Sequence, residues 1–140
     1  MGDACTFCRV RDGDVPAAVV LDEPAILAFL DHRPLFPGHV LVLPREHRPT
    51  LVDVPAGELG ALFAAVQRLA SAVPTAMGAQ GTFVALNNVV SQSVPHLHVH
   101  VVPRTKGDGL RGFFWPRHRY ASDGEMAETA RRIRTALAAG

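Results

Sequence analysis

The chain has 140 residues, of which 48% are hydrophobic and 19% are charged, and its formal net charge is +1. These values predict a single globular domain over residues 1–140 and exclude an intrinsically disordered chain. The small net charge provides no global attraction to nucleic acid or to an anionic membrane, so any phosphate site must be local. The sequence has neither a secretory signal nor an apolar run near the roughly 20 residues that cross a bilayer, which predicts a cytoplasmic protein with reduced thiols.

Short apolar runs separated by turn residues predict the strands of a sheet. The first two runs are separated by Asp22-Glu23-Pro24, which indicates a hairpin. A loop at 31–38, with two prolines and a glycine, then leads into the third run. The predicted strands are 15–21, 25–30, 39–43, 82–86 and 96–102.

Two longer segments have helical patterns. Between Pro55 and Pro74, which bracket the first segment, apolar residues recur at spacings of three and four, as on an amphipathic helix packed against a sheet. The second segment, 123–139, has its acidic residues early and its arginines later, as a helix dipole prefers. The order of elements predicts an α+β fold, a five-stranded, mostly antiparallel sheet with two main helices on one side.

The segment 95–103 is the most informative in the chain. Side chains alternate along a strand, so His96, His98 and His100 share one face while the apolar residues between them point into the core. Neutral imidazole is a good nitrogen nucleophile near pH 7, and three together suit phosphoryl or nucleotidyl transfer. A solvent-facing polar row on an edge strand and a pure metal site are the alternatives.

The sequence resembles the histidine triad (HIT) superfamily, whose signature alternates three histidines with apolar residues and ends in two more. Residues 96–102 fit every position of this signature, and the resemblance extends over about residues 5–104 through Pro37-Gly38-His39 and Ser91-Gln92-Ser93. It implies that His98 is the nucleophile that forms a nucleotidyl-histidine intermediate. It also implies that His100 contacts the phosphate and that His39 helps to shape the same wall.

The same resemblance implies a set of nucleotide contacts. Asp31 takes the place of the acid that binds the ribose hydroxyls, although an acid in a Pro-rich loop is also a common turn former. The family's apolar base-binding positions fall on residues that would otherwise be ordinary core. Its polar phosphate-site positions fall on residues that would otherwise be a turn amide and a strand-end hydroxyl. These residues are Phe7, Val10 and Phe29 for the base, and Asn87 and Ser93 for the phosphate.

Two segments depart from the common HIT pattern. Residues 87–94 contain no glycine, where many members have a Gly-rich stretch that lets the backbone approach phosphates. The extension at about 104–140 begins with a basic, aromatic segment, 104–120, whose first residues, 104–108, look closer to the dinucleoside polyphosphate hydrolase branch. We interpret that segment as a cover for the distal phosphates or second base of a long substrate. A solvated loop pinned by its aromatics onto the core or a dimer partner is the alternative.

Cys5 and Cys8 form a Cys-x-x-Cys motif, which alone is ambiguous between redox chemistry and metal binding. A thioredoxin-type motif needs a preceding strand, for which residues 1–4 offer no room, so zinc is the better interpretation. His47 and His96 match the remaining ligand positions of zinc-bearing HIT proteins, which implies a structural zinc. Two buried free thiols are the alternative.

These observations predict an enzyme, a nucleotide hydrolase or transferase that cleaves at an α-phosphate through covalent His98. A non-catalytic nucleotide-binding regulatory module is the alternative from another functional class, and a zinc-storage or thiol redox protein is a third. The expected partner is a nucleotide, with neither nucleic acid nor membrane, and the resemblance implies a homodimer.

Overall fold

The computed structural model describes residues 5–110 and 117–140, which belong to two compact units, Met1–Asp108 and Gly109–Gly140. Within the described residues, the first unit contains two helices, five strands and a short 3-10 turn at Leu51–Asp53, and the second contains one helix. In chain order these are α1 Thr6–Arg11, β1 Val19–Asp22, β2 Ile26–Leu30, β3 Val40–Pro44, α2 Ala56–Met77, β4 Gly81–Ala85, β5 Val99–Arg104 and α3 Asp123–Ala139.

The strands form one antiparallel sheet in the order β1-β2-β3-β5-β4. This confirms the predicted α+β class and the five-stranded sheet. Helix α1 is an element that the sequence pattern did not predict. Helix α3 matches its predicted bounds, is capped by the Ser122 hydroxyl, and has no buried residue.

The bounds of two predicted strands were wrong at their N-terminal ends. Strand β1 begins at Val19 rather than at residue 15, because Pro16 cannot donate to a ladder and the Val15 amide donates to Arg9 in α1. Strand β5 begins at Val99 rather than at residue 96. The Leu97 amide donates instead to the carbonyl of Arg48, at 2.7 Å.

Helix α2 also differs from its prediction. Pro55 is its N-cap, whereas Pro74 lies inside it and the helix continues to Met77. The end is set by Gly78, whose φ of 65° is left-handed and whose amide donates to the Pro74 carbonyl. Among the described residues, α2 alone has the length and composition of a membrane-spanning helix, and its stripe of Leu62, Ala65, Val66, Leu69 and Val73 is buried.

The sheet buries a different set of residues on each face. On one face, Ala28, Val42 and Val99 pack against the apolar stripe of α2. On the other, Leu27, Phe29 and Leu41 pack against α1. Alternation along each strand produces this division, since neighbours in sequence point to opposite faces. Leu97, Val99 and Val101 belong to the α2 side, as predicted, so the intervening histidines belong to the α1 side.

Candidate active site and metal centre

Helix α1 brings the two cysteines onto one helical turn. Cys5 is the N-cap, and its sulfur accepts a hydrogen bond from the Cys8 amide at 3.4 Å. Residues three apart in a helix are neighbours, so the Cys-x-x-Cys spacing suits this conformation and could have indicated the helix. Both thiols are buried, and Cys8 is fully inaccessible.

Two histidines complete a cluster around these thiols, here called the thiol cluster (Cys5, Cys8, His47 and His96). The Nδ1 of His96 lies 3.4 Å from Cys5 Sγ and 3.5 Å from Cys8 Sγ, and the Nδ1 of His47 lies 3.4 Å from Cys8 Sγ. All four candidate ligand atoms lie within 4.8 Å of one another. In tetrahedral zinc sites with usual bond lengths, sulfur and nitrogen ligands are separated by about 3.6 Å. The cluster therefore fits a tetrahedral metal ion.

The tautomer and protonation state of His96 also favour a cation. His96 Nε2–H donates to the Pro44 carbonyl at 2.8 Å, which leaves a lone pair on Nδ1 facing the sulfurs. Burial lowers the pKa of His96 to about 4, so the ring is neutral. Burial and the neighbouring Cys5 raise the pKa of the Cys8 thiol to about 11, and a bound metal ion would reverse that preference by stabilising the thiolate.

His98 is presented in one tautomer. Its Nδ1–H donates to the backbone carbonyl of His96 at 2.7 Å, so its Nε2 carries the lone pair. The side chain is 5% exposed, and desolvation by burial lowers its pKa, which keeps the imidazole neutral. A neutral ring with a free Nε2 is the form that can act as a nucleophile.

His100 and His39 extend the same wall. The His98 and His100 rings have centroids 5.0 Å apart, and His39 Nε2 lies 2.9 Å from His100 Nδ1. Burial lowers the pKa of His39, and burial together with the neighbouring His98 and His39 lowers that of His100 to about 4. We call His39, His98 and His100 the imidazole wall.

A cavity of about 650 Å³ opens in front of this wall. It brings together most of the predicted nucleotide-site residues, and Phe7 packs edge-on against His98 with ring centroids 4.9 Å apart. Phe7 and Phe29 are both buried core residues and cavity walls. The predicted residues that line the cavity are Phe7, Val10, Phe29, Asp31, Ser93, His98 and His100; His39 contacts His100, and Asn87 lies outside this lining set.

Asp31 has two different contacts. Its Oδ1 accepts from the Arg33 amide at 2.9 Å, an Asx-type turn in the loop between β2 and β3. Its Oδ2 lies 3.8 Å from His39 Nε2, and the carboxylate lines the cavity at 20% exposure. Asp31 therefore both forms a turn and lines the cavity.

The glycine-free segment 87–94 adopts backbone conformations that glycine normally supplies. Val89 and Ser91 have φ values of 69° and 63°, both left-handed. Side-chain amides hold this loop: Gln92 accepts from the Val89 amide at 3.0 Å and donates to the Pro49 carbonyl at 2.6 Å. Asn87 donates to the Ser91 carbonyl. Sequence reasoning missed this bracing role of Gln92.

Part of the basic aromatic segment lies outside the described residues, including Phe113, Phe114 and Trp115. Within the first unit, Arg104 forms a bidentate ion pair with Asp108, whose Oδ2 is 2.6 Å from Arg104 Nε. The interpretation of the segment as a substrate cover remains a prediction.

Sequence comparison decides the family. The HIT domain family model matches residues 12–107. The chain belongs to the HIT family. An uncharacterized HIT-like protein from Mycobacterium tuberculosis is 37% identical over 139 residues, covering 96% of this chain and 93% of that protein.

Two further relatives have named activities. An adenosine 5'-monophosphoramidase from Schizosaccharomyces pombe is 30% identical over 115 residues, which cover 81% of this chain and 84% of the relative. An asymmetrical bis(5'-nucleosyl)-tetraphosphatase from the same organism is 37% identical over 83 residues, which cover 58% of this chain and 46% of the relative.

Solved structures share the fold. A protein from Streptococcus mutans aligns with a TM-score of 0.88 and 31% identity, covering 96% of this chain and 86% of that one. A Zn-bound histidine triad protein from Mycobacterium smegmatis aligns with a TM-score of 0.74 and 32% identity, covering 99% of both chains. The residues of the thiol cluster thus occur in a fold with a zinc-bound member.

Proposed function

We propose that this HIT-family protein is a nucleotidyl transferase or hydrolase that acts at the α-phosphate of a nucleotide through covalent His98. The observation that carries the proposal is the single tautomer of His98, a neutral ring with its Nε2 lone pair in the wall of a cavity. The named activities of the two yeast relatives support it, since both substrate types contain a nucleoside attached to phosphorus.

The reaction would proceed in two displacements. His98 Nε2 forms a bond to the α-phosphorus while the bond from phosphorus to the leaving group breaks, and the electron pair departs with the leaving group. Water or another acceptor then attacks the phosphorus, loses a proton, and releases His98 with its lone pair restored. The cavity would hold the base against Phe7 and Phe29, with Asp31 toward the ribose hydroxyls and Ser93 toward the phosphate.

Zinc in the thiol cluster would be structural. Cys5, Cys8, His47 and His96 would hold the ion, which supplies folding stability by fastening α1 to the segment that carries the nucleophile. The His96 carbonyl, which fixes the tautomer of His98, belongs to the same residue as a zinc-binding imidazole. We also propose, from the family resemblance, a homodimer, which light scattering would test.

The decisive experiment looks for the covalent intermediate. Acid-labile nucleotidyl-protein, with the nucleotide that the substrate carries, should appear by mass spectrometry after brief incubation with an adenosine phosphoramidate, a diadenosine polyphosphate or a nucleotide sugar. His98→Asn should lose both the adduct and turnover, at least 10²-fold, whereas His118→Asn, at an exposed histidine of the second unit, should retain them.

Thermal shift separates the catalytic proposal from the regulatory alternative. If nucleotides raise the melting temperature but the whole panel gives neither adduct nor product, the chain is a nucleotide-binding module and the proposed chemistry is wrong. If nucleotides leave the melting temperature unchanged, the cavity does not bind them.

A further inference from the structure

The loop between β2 and β3 places a backbone amide against the imidazole wall. The Leu35 amide donates to His39 Nδ1 at 3.0 Å. A backbone N–H can only donate, so this nitrogen of His39 must carry a lone pair. His39 is therefore neutral, with its proton on Nε2.

This assignment determines the tautomer of the next histidine. His39 Nε2 lies 2.9 Å from His100 Nδ1, and since His39 holds the proton there, His39 is the donor. The reverse direction would leave His39 with no proton on either nitrogen, an imidazolate, which is not accessible at neutral pH. His100 Nδ1 is thus an acceptor, and its own proton is on Nε2.

The loop is built to keep this amide in place. The turn closes with a hydrogen bond from the His39 amide to the Phe36 carbonyl at 3.1 Å, and the Asp31 amide donates to the His39 carbonyl at 2.9 Å. Gly38 has a φ of 96°, and a Cβ there would lie 2.6 Å from Met77 Cγ. His39 is 3% exposed, so water has little access to compete for either of its nitrogens.

We infer that the Leu35 backbone amide is a positioning group for the reaction, which acts through His39 to make His100 a hydrogen-bond donor at its Nε2. His100 lines the cavity, and its Nε2–H would stabilise charge that develops on the phosphate oxygens during both displacements. In this arrangement His100 donates a hydrogen bond and does not accept one from substrate. This inference deepens the proposed function and rests on it for the identity of the phosphate ligand.

The first test measures the tautomers directly and needs no substrate. In zinc-loaded, ¹⁵N-histidine-labelled protein at pH 7, side-chain ¹⁵N shifts should identify His39 and His100 as Nε2–H tautomers. Leu35→Ala retains the amide and should retain both assignments. Leu35→Pro removes the amide hydrogen, so Nδ1–H forms of His39 and His100 should appear. An Nδ1–H form of either ring in the wild-type protein, or unchanged tautomers in a folded Leu35→Pro variant, would overturn the inference.

A second pair of variants covers the case in which Leu35→Pro does not fold. His39→Gln keeps an N–H donor that can reach His100, whereas His39→Leu removes it. His100 should remain Nε2–H in His39→Gln and become a mixture in His39→Leu, and kcat in His39→Leu should be lower by about tenfold with a smaller change in KM. Equal His100 spectra in the two variants would contradict the relay. Correct tautomers without any turnover in the wild-type protein would instead contradict the proposed function.

Discussion

The thiol cluster and the imidazole wall lie on the same face of the sheet, and both contain buried histidines. In the first a histidine offers a lone pair to a metal ion, and in the second a histidine donates a hydrogen bond. In the thiol cluster, the Pro44 carbonyl accepts a hydrogen bond from His96 Nε2–H, and the other nitrogen offers a lone pair to a metal ion. In the imidazole wall, the Leu35 amide occupies Nδ1 of His39, and the other nitrogen offers a proton to His100. A single backbone group thus decides whether a buried histidine is a ligand or a donor.

This difference explains which cluster fits a metal ion. Asp31, His39 and His100 also have potential ligand atoms within 4.8 Å of one another. However, His39 Nε2 carries a proton in this set, and a metal could replace it only if the Leu35 hydrogen bond were broken. Proximity of ligand residues is therefore insufficient, and the tautomers distinguish the two clusters.

The largest expected effect is loss of metal from the thiol cluster. Purified protein should contain one zinc per chain, and Cys8→Ser should contain none and should melt at a temperature lower by at least about 10 °C, since metal binding contributes to folding. Asp31→Asn should keep its zinc. Metal analysis and calorimetry would check both variants. A lower metal content in Asp31→Asn, or a second zinc in the wild-type protein, would contradict the conclusion that the thiol cluster binds metal and the set of Asp31, His39 and His100 does not.

The positions of both clusters along the chain could be predicted from sequence. The period-two spacing of His96, His98 and His100 is enough to place them on one face, and Cys-x-x-Cys is compatible with a metal site. The assignment of His39 and His47 to these clusters came from the resemblance to the HIT family. The tautomers could not be predicted, because they depend on the Pro44 carbonyl and the Leu35 amide. Because backbone groups hardly vary with residue type, the sequence does not show which of them a histidine will contact.

The errors of fold prediction have a similar cause. The propensity pattern marked Pro74 as a boundary, yet a proline in the last turns removes one helical hydrogen bond, and the left-handed Gly78 sets the end. Strand β5 was predicted to include His96 and His98, but the Arg48 carbonyl binds the intervening Leu97 amide outside the ladder. For β5 the deciding partner, Arg48, is distant in sequence, whereas for α2 it is a local left-handed glycine whose amide bonds the Pro74 carbonyl.

A glycine substitution in the loop between β2 and β3 would test how firmly the imidazole wall is held. Gly38→Ala forces a side chain into a left-handed backbone conformation and toward Met77, which should cost about 1–3 kcal/mol of stability. Denaturant unfolding measures this loss. Gly13→Ala is a matched control, with a φ of 83° and open space around a Cβ, and should cost less. Because the atoms nearest to a Cβ at Gly38 belong to Met77 and not to the thiol cluster, the zinc content of Gly38→Ala should remain one per chain. A loss of zinc would show that the two clusters are not independent.

The smallest expected effect concerns acid stability of the imidazole wall. The pKa of His100 is lowered to about 4 in the folded protein, below its ordinary value of 6.5, because burial penalises the charged ring. The unfolded chain therefore binds more protons than the folded one between these values, and the stability present above pH 6.5 falls as the pH drops toward 4. His100→Asn removes this titration, so between pH 7 and pH 5 the variant should lose less stability than the wild-type protein, by about 1 kcal/mol after solvent screening of a partly exposed ring. Urea unfolding at both pH values, with zinc retention confirmed at each, measures the difference. Parallel losses in the two proteins would mean that His100 is solvated like a surface histidine, and its tautomer would then not depend on His39 and the Leu35 amide.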